Sequence, residues 1–479
     1  MPIKLYAVCV SYCNIAQSLV GPVKTRAIVR HVIKTSLHLR WAKFPLARDI
    51  AIDPRAESDE AGWARSMTHP IQVLICGVGS SAHVLAAILS SRPEAEVSVL
   101  TRNATRADTW QKSIHAAPMT IFDRIERHGQ KTLTAGSVLI TSDPALAARG
   151  CDIVLFAIPA FLHRSYLAAI EPYIEDGCTI VGLPGQSGFE FEVRNILGPK
   201  ADRCILMNFD SLPWVCRTVE FGRCAQISGT KEMLVGAVQG DFSRARIRDP
   251  LASLQLLLGE RPRLAVSGHL LGITLRSPNG YSHPPMMYGR WKDWDGEPLE
   301  QPPLFYRDID EATAALLEEI SDEVVATSRR LMEQCPGTDL SQVVPMYEWD
   351  MCCYGPDIED TTNLLTALRT NAGYAHIEHP MTQTPDGRFV PDFQHRFLSE
   401  DVPFGLTVVR SIAEIAGVPT PRIDEVLFWC QEKMGKQYLV NSKLTGSDIG
   451  ETRCAFRYGF RTPEDILGYE PLLTAALAK

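Results

Sequence analysis

The stretch from Ile71 to Arg102, IQVLICGVGSSAHVLAAILSSRPEAEVSVLTR, reads as strand, glycine turn, helix and strand in quick succession. Ile71, Val73, Leu74 and Ile75 form a short apolar run, as a strand buried on both faces requires. Gly77 opens a tight turn, Gly79 lets backbone come close to a ligand, and Ala82 takes the third small position of a G-x-G-x-x-G/A pattern, where helix packs on strand. A helix from about Ser81 to Ser91, preceded by Ser80, would aim its free N–H groups and positive dipole end at a phosphate. The pattern therefore predicts a dinucleotide-binding βαβ unit, with Gly77, Gly79, Ser80 and Ala82 holding the cofactor.

The second strand of that unit, Val97 to Leu100, should end beside the ribose. An NAD site often carries Asp or Glu there to hold the 2'-hydroxyl. This chain has Thr101 and Arg102 instead. With no carboxylate to repel a 2'-phosphate, and with Arg102 and Arg106 able to pair with one, the local chemistry leans towards NADP. A solvated arginine beside an NAD site is the other reading, and both stay open.

Val138–Ile140, Ile153–Ile158 and Thr179–Leu183 continue the series of buried strands, with a short helix expected over Asp143–Arg149. Such alternation argues for a doubly wound parallel sheet with ligands beyond the carboxyl ends of its strands. Loops 159 to 163, beginning with Pro159, and 184 to 188 should then border the nicotinamide. Near residue 268 the pattern changes to helices, expected over Glu311–Met332, Asn363–Leu368, Val408–Ala416 and Asp424–Lys433. The predicted organisation is a Rossmann domain over residues 67–267 and a helical domain over residues 268–479.

Residues 1–66 do not fit this plan. Eight basic residues precede the first acid, Asp49. This segment reads either as a mitochondrial transit peptide or as an upstream extension outside the functional protein. Ser11, Asn14, Gln17 and Ser18 interrupt its apolar part, so no membrane-spanning helix is expected. The net charge of −8 and the absence of a basic, aromatic-laced stripe argue against nucleic acid as a partner. The 13 cysteines include no C-x-x-C pair and no His/Cys cluster at zinc spacing, so no metal and a reducing, cytoplasmic compartment are expected.

Two later segments look built for chemistry. The first, Ser277 to Pro285, is rich in turn formers and reads as a loop that presents His283, a residue suited to moving a proton to or from a carbonyl oxygen. The second runs from Arg396 to Leu406. Its carboxylates could orient a histidine and Arg396 could grip a substrate carboxylate, although Glu400 and Asp401 could equally cap the following helix.

In these segments the chain resembles the opine dehydrogenases, especially the invertebrate octopine, tauropine and strombine type. The resemblance spans residues 71 to about 460. It rests on Val73 to Gly77 with Ala82-His83-Val84-Leu85, Gly182 to Glu190, Leu212 to Arg217, His283-Pro284 with Met287-Tyr288, and Phe305-Tyr306. Glu400-Asp401-Val402-Pro403 and the tail segments Gly435 to Val440 and Lys443 to Gly446 complete it. It implies a Rossmann domain joined to an all-helical domain, with substrates in the cleft between. The implied reaction joins the amine of an L-amino acid to the keto group of pyruvate, with NAD(P)H reducing the imine. By motif position His283 is the general acid/base and Asp401 its partner, favouring the protonated ring at the start of the reductive direction. Arg396 would bind a substrate carboxylate, Gln186 and Ser211 the keto acid, and Trp349 or Tyr347 would wall the amino-acid pocket.

The chain also departs from that family. Val78-Gly79-Ser80-Ser81 makes the phosphate turn bulkier than the usual glycine-asparagine-glycine run. Arg102-Asn103 follows Thr101 where apolar residues are more usual, and most invertebrate members use NADH. Two other readings remain at this point: a hydroxy-acid dehydrogenase that needs no amine, and a non-catalytic cofactor-sensing protein. Either a monomer or a homodimer is compatible with the sequence.

Overall fold

The computed structural model describes residues 69–123 and 131–468; the expected front segment, residues 1–66, lies outside them. These described residues form one compact unit. Its main sheet has eight strands: β1 (Ile71–Cys76), β2 (Ala95–Leu100), β5 (Val138–Thr141), β6 (Ile153–Phe156), β7 (Thr179–Gly182), β8 (Ile205–Phe209), β11 (Met233–Gln239) and β12 (Arg263–Val266). They lie in the order β12-β11-β8-β7-β6-β1-β2-β5, every pair parallel except β11 against β8. From β5 to β8 this is the doubly wound order with the switch between β1 and β6, where such sheets open a crevice for a ligand.

The pleat explains why these runs became central strands. Ile71, Val73 and Ile75 enter the core on one face of the sheet, and Leu74 and Cys76 enter the core on the other. Every residue of β6, β7 and β8 is buried. The edge strand β5 alternates instead and leaves Leu139 exposed.

A second sheet was not expected from the sequence. It takes the order β4-β3-β10-β9, from β3 (Thr120–Asp123), β4 (Lys131–Thr134), β9 (Trp214–Glu220) and β10 (Cys224–Thr230).

Beyond β12 the regular elements among the described residues are helical but for a hairpin of β13 (Met381–Gln383) and β14 (Phe389–Pro391). The expected helices appear as Glu311–Gln334, Leu364–Thr370, Thr407–Ala416 and Pro421–Met434. Asn363 caps the second by accepting from Thr366 N–H, and Asp310 caps the first by accepting from Thr313 N–H. Just past residue 268, where the pattern changes, the two halves share a helix. On Leu270–Arg276, Leu270 and Ile273 enter a core of the sheet, while Leu271 and Leu275 enter the core of the helical half. No helix among the described residues is long and apolar enough to cross a membrane.

Candidate active site

The phosphate turn leaves β1 at Gly77, whose φ of +111° suits glycine and whose N–H donates to Leu100 O at 2.9 Å. A Cβ at Gly77 would stand 2.0 Å from Ile158 Cγ2. Helix α1 (Ser80–Ser90) starts at Gly79, which has no side-chain cap and no heavy atom within 4 Å of where its Cβ would lie. The first-turn N–H groups and the open approach fit a pyrophosphate. Ser80 turns its hydroxyl to β9, accepting from Thr218 N–H at 2.9 Å, and Ala82 is wholly buried under the helix.

His83 supports this turn, a role that sequence reading did not assign. Gly222 N–H donates to its Nε2 at 2.9 Å, so Nδ1 carries the proton and donates to Gly79 O at 2.9 Å. The ring stacks on Trp110 with centroids 3.9 Å apart. Burial pulls its pKa down to about 4, which keeps it neutral.

At the ribose end, Thr101 is buried and accepts from Asn103 N–H at 3.2 Å. Arg102 is exposed, while the Arg106 guanidinium lies 4.8 Å over the Phe221 ring.

Two loops border the crevice beyond β6 and β7. Pro159 leads into α2 (Ala160–Ile170), whose first N–H, on Ala160, donates to Glu400 Oε1 at 2.8 Å. Gln186 is buried with φ +60°, and its Oε1 accepts from Ser277 Oγ at 3.1 Å. The fully buried Arg453 joins the loops, donating to Gly185 O at 2.8 Å and to Ala160 O at 3.1 Å, with His163 Nδ1 2.6 Å from it. Ser211 is half-buried beside Asp210. Asp210 accepts from Arg276 Nε at 2.7 Å in a dry ion pair and from Trp349 Nε1 at 2.9 Å. Trp349, the residue expected to wall the amino-acid pocket, lies in the helical core and donates its only polar hydrogen to Asp210. Tyr347, the alternative wall, is half-buried with its hydroxyl donating to Thr361 O at 2.6 Å.

His283 sits on α3 (Asn279–Trp291), not on the loop that its turn-forming neighbours suggested. Pro284 and Pro285 follow it within this helix. They remove two main-chain donors but keep a φ that a helix accepts, and packing against Gly405 overrides the local preference. Asp401 precedes a wide turn of π type, Val402–Leu406, in which Leu406 N–H donates back to Asp401 O at 2.9 Å. The capping alternative fails, since the Asp401 side chain makes no cap bond. Its Oδ2 lies 2.7 Å from His283 Nδ1, and both side chains are largely buried. These groups are 118 residues apart in sequence. They meet because two glycines let the backbones cross: a Cβ on Gly280 would lie 2.5 Å from Gly405 Cα.

The rest of the His283 environment is aromatic and polar. Phe397 stacks on the ring at 4.1 Å, and Tyr306 Oη lies 3.2 Å from Nε2. Arg396 is half exposed and pairs with Glu400 Oε2 at 2.9 Å. Burial raises the Glu400 carboxyl, with Arg396 acting against it. The described residues contain no group of three or more side chains able to hold a metal.

Comparison with known proteins agrees with this architecture. The family described as NAD/NADP octopine/nopaline dehydrogenase, alpha-helical domain, matches residues 266–434. Tauropine dehydrogenase of Arabella iricolor is 46% identical over 397 residues, 83% of this chain and 100% of the relative. Octopine dehydrogenase of Pecten maximus is 42% identical over 398 residues, 83% of this chain and 98% of the relative. A solved octopine dehydrogenase with NADH and L-arginine superposes with a TM-score of 0.77 at 41% identity, covering 84% of this chain and 98% of that one. The chain belongs to the opine dehydrogenase family.

Proposed function

We propose that His283 and Asp401 are the acid/base pair of a reductive condensation between an L-amino acid and pyruvate. The enzyme is an oxidoreductase of the CH–NH group that uses a nicotinamide dinucleotide. When bound, that cofactor supplies the hydride. The observation that carries the assignment is the 2.7 Å contact between Asp401 Oδ2 and His283 Nδ1, which leaves Nε2 as the nitrogen that exchanges a proton. Solved octopine dehydrogenases hold NADH with L-arginine, with agmatine or with pyruvate, which supports a site for an amine and a keto acid.

Arg396 is the candidate for binding a substrate carboxylate, because its half-exposed guanidinium can accept a second anion beside Glu400. Gln186 and Ser211 are the candidates for the keto acid. Pro159, Thr101 and the turn from Gly77 to Ala82 frame the dinucleotide. Exposed Arg102, with no carboxylate at the end of β2, supports acceptance of NADPH as well as NADH.

A grid of amino acids against both cofactors, with pyruvate, tests this reading. Amino-acid-dependent oxidation is expected; consumption equal to a pyruvate-only control would overturn it. Arg102→Ala should weaken NADPH more than NADH. His283→Ala should abolish turnover and leave cofactor binding intact.

The working unit is a monomer or a homodimer, and sedimentation distinguishes the two. The expected compartment is the cytoplasm, or the mitochondrion if residues 1–66 act as a transit peptide. Imaging of the tagged chain with and without them distinguishes the two.

A further inference from the structure

His283 is enclosed on the sides that matter for proton transfer. Asp401 holds Nδ1, Phe397 covers one face, and Phe305 meets the ring edge-on with centroids 5.7 Å apart. The remaining nitrogen, Nε2, faces Tyr306 Oη at 3.2 Å. A ring nitrogen carries one proton or one lone pair, so a proton that His283 gives or takes at Nε2 travels along the line to Tyr306.

Tyr306 is held in place. Its ring stacks on Tyr374 with centroids 4.0 Å apart and planes within 16°, and it meets Phe305 at 5.0 Å. Tyr374 in turn donates its hydroxyl to Asp350 Oδ1 at 3.0 Å. Tyr306 is 7% exposed, so it cannot swing aside without breaking this stack.

We propose that the Tyr306 hydroxyl is the proton link between His283 and the substrate oxygen, a catalytic role that rests on the acid/base reading of His283. In the reductive direction the amine has already added to the keto carbon, leaving a hydroxyl on it. The Tyr306 O–H bond breaks as its proton passes to that hydroxyl, and the His283 Nε2–H bond breaks as its proton takes the vacated place on Oη. The C–O bond breaks with its electron pair, water departs, and the nitrogen lone pair closes the C=N bond. Tyr306 ends as it began and His283 ends neutral, with one proton consumed. The oxidative direction reverses each bond change.

The surroundings suit such a link. Burial pushes the Tyr306 pKa up, and the nearby Asp350 and Asp401 carboxyls add to it, so the hydroxyl stays neutral between transfers. The other ionisable groups at His283 are Asp401 on Nδ1 and, from the short helix Arg396–Ser399 and its cap, Arg396 and His395.

The test compares Tyr306→Phe, which keeps the ring and its stack, with His283→Ala. Tyr306→Phe should lower kcat by about 10²- to 10⁴-fold in both directions, the usual contribution of positioned proton transfer. NADH affinity by fluorescence titration and Tm should be unchanged. In mixtures of light and heavy water the parent rate should fall along a curve, because two protons move together, whereas the variant should give a straight line. If His283→Ala stays active, the acid/base reading fails. If His283→Ala is inactive while Tyr306→Phe keeps kcat within about twofold and the same curve, His283 stands and the Tyr306 link is overturned. Should Tyr306→Phe lower Tm, fluorotyrosine at position 306 keeps the hydroxyl and changes its acidity. An altered isotope curve then supports the link, and an unaltered one overturns it.

Discussion

Gly280→Ala should separate His283 from Asp401 without touching either. The added Cβ would stand 2.5 Å from Gly405 Cα and 2.8 Å from Gly405 C, both backbone atoms that no rotamer change can move. Ordinary contact begins at 3.4 Å, so α3 and the π turn must part by about 0.9 Å. Passed on to the pair, this stretches the 2.7 Å contact to about 3.6 Å, past the limit of a hydrogen bond. Losing a charged hydrogen bond costs about 1.5–3 kcal/mol, or about 10- to 150-fold in rate if all of it acts in the transition state. Forcing a methyl into a packed crossing lowers stability by about 1–3 kcal/mol. The assay is kcat/KM for amino-acid-dependent NADH oxidation, beside urea unfolding and NADH affinity. Affinity should hold, since the phosphate turn lies on another element. A Gly280→Ala protein with parental stability and parental kcat/KM would refute the claim that this crossing sets the pair.

Three further outcomes follow from the same geometry. Asp401→Asn keeps the shape but replaces the carboxylate that holds His283 Nδ1 with an amide that can present the wrong group to it; kcat/KM should fall at least about tenfold. An unchanged kcat/KM would mean that Asp401 only packs. Gly77→Ala places a β-carbon at positive φ and against Ile158, so NADH affinity and stability should both drop, the latter by about 2–5 kcal/mol. Glu190 is fully buried, and burial lifts its pKa from 4.5 to about 7 despite a hydrogen bond from Thr274 Oγ1 at 2.7 Å. A raised folded-state value means that stability falls as pH rises from about 4.5 to about 7, by up to about 3 kcal/mol. Unfolding against pH should flatten in Glu190→Gln, and an unchanged slope would rule this out.

The parts of the fold that could be read from sequence are those whose burial leaves a periodic mark. β1, β6 and β7 are covered on both faces and so appear as predominantly apolar runs, broken only by Gln72 in β1 and Thr179 at the start of β7. The second sheet left no such mark, because β9 and β10 are partly exposed and mix Arg, Thr, Gln and Ser with apolar residues. The helix at His283 was misread as a loop since Ser277, Pro278, Asn279 and Gly280 do favour turns locally. What overrides them is tertiary: Gly280 against Gly405, 125 positions away. His83 and Arg453 escaped for the same reason. Arg453 reaches Ala160 O across 293 residues, and no local pattern announces a contact of that range. Trp349 shows the opposite limit, since an aromatic residue near a pocket and one in a core look alike in sequence.

The neighbouring acids Glu400 and Asp401 then acquire distinct jobs that neither could do for the other. Asp401 faces into its own domain and fixes His283, while Glu400 faces the sheet and accepts the first N–H of α2, the helix that begins at the nicotinamide border. One peptide step thus ties the acid/base group to the cofactor loop. Arg453 repeats the tie from the far end of the chain, gripping both Ala160 O and Gly185 O. Since Glu400 also holds Arg396, a substrate carboxylate that draws Arg396 away would leave a buried carboxylate with Ala160 N–H as its remaining direct partner.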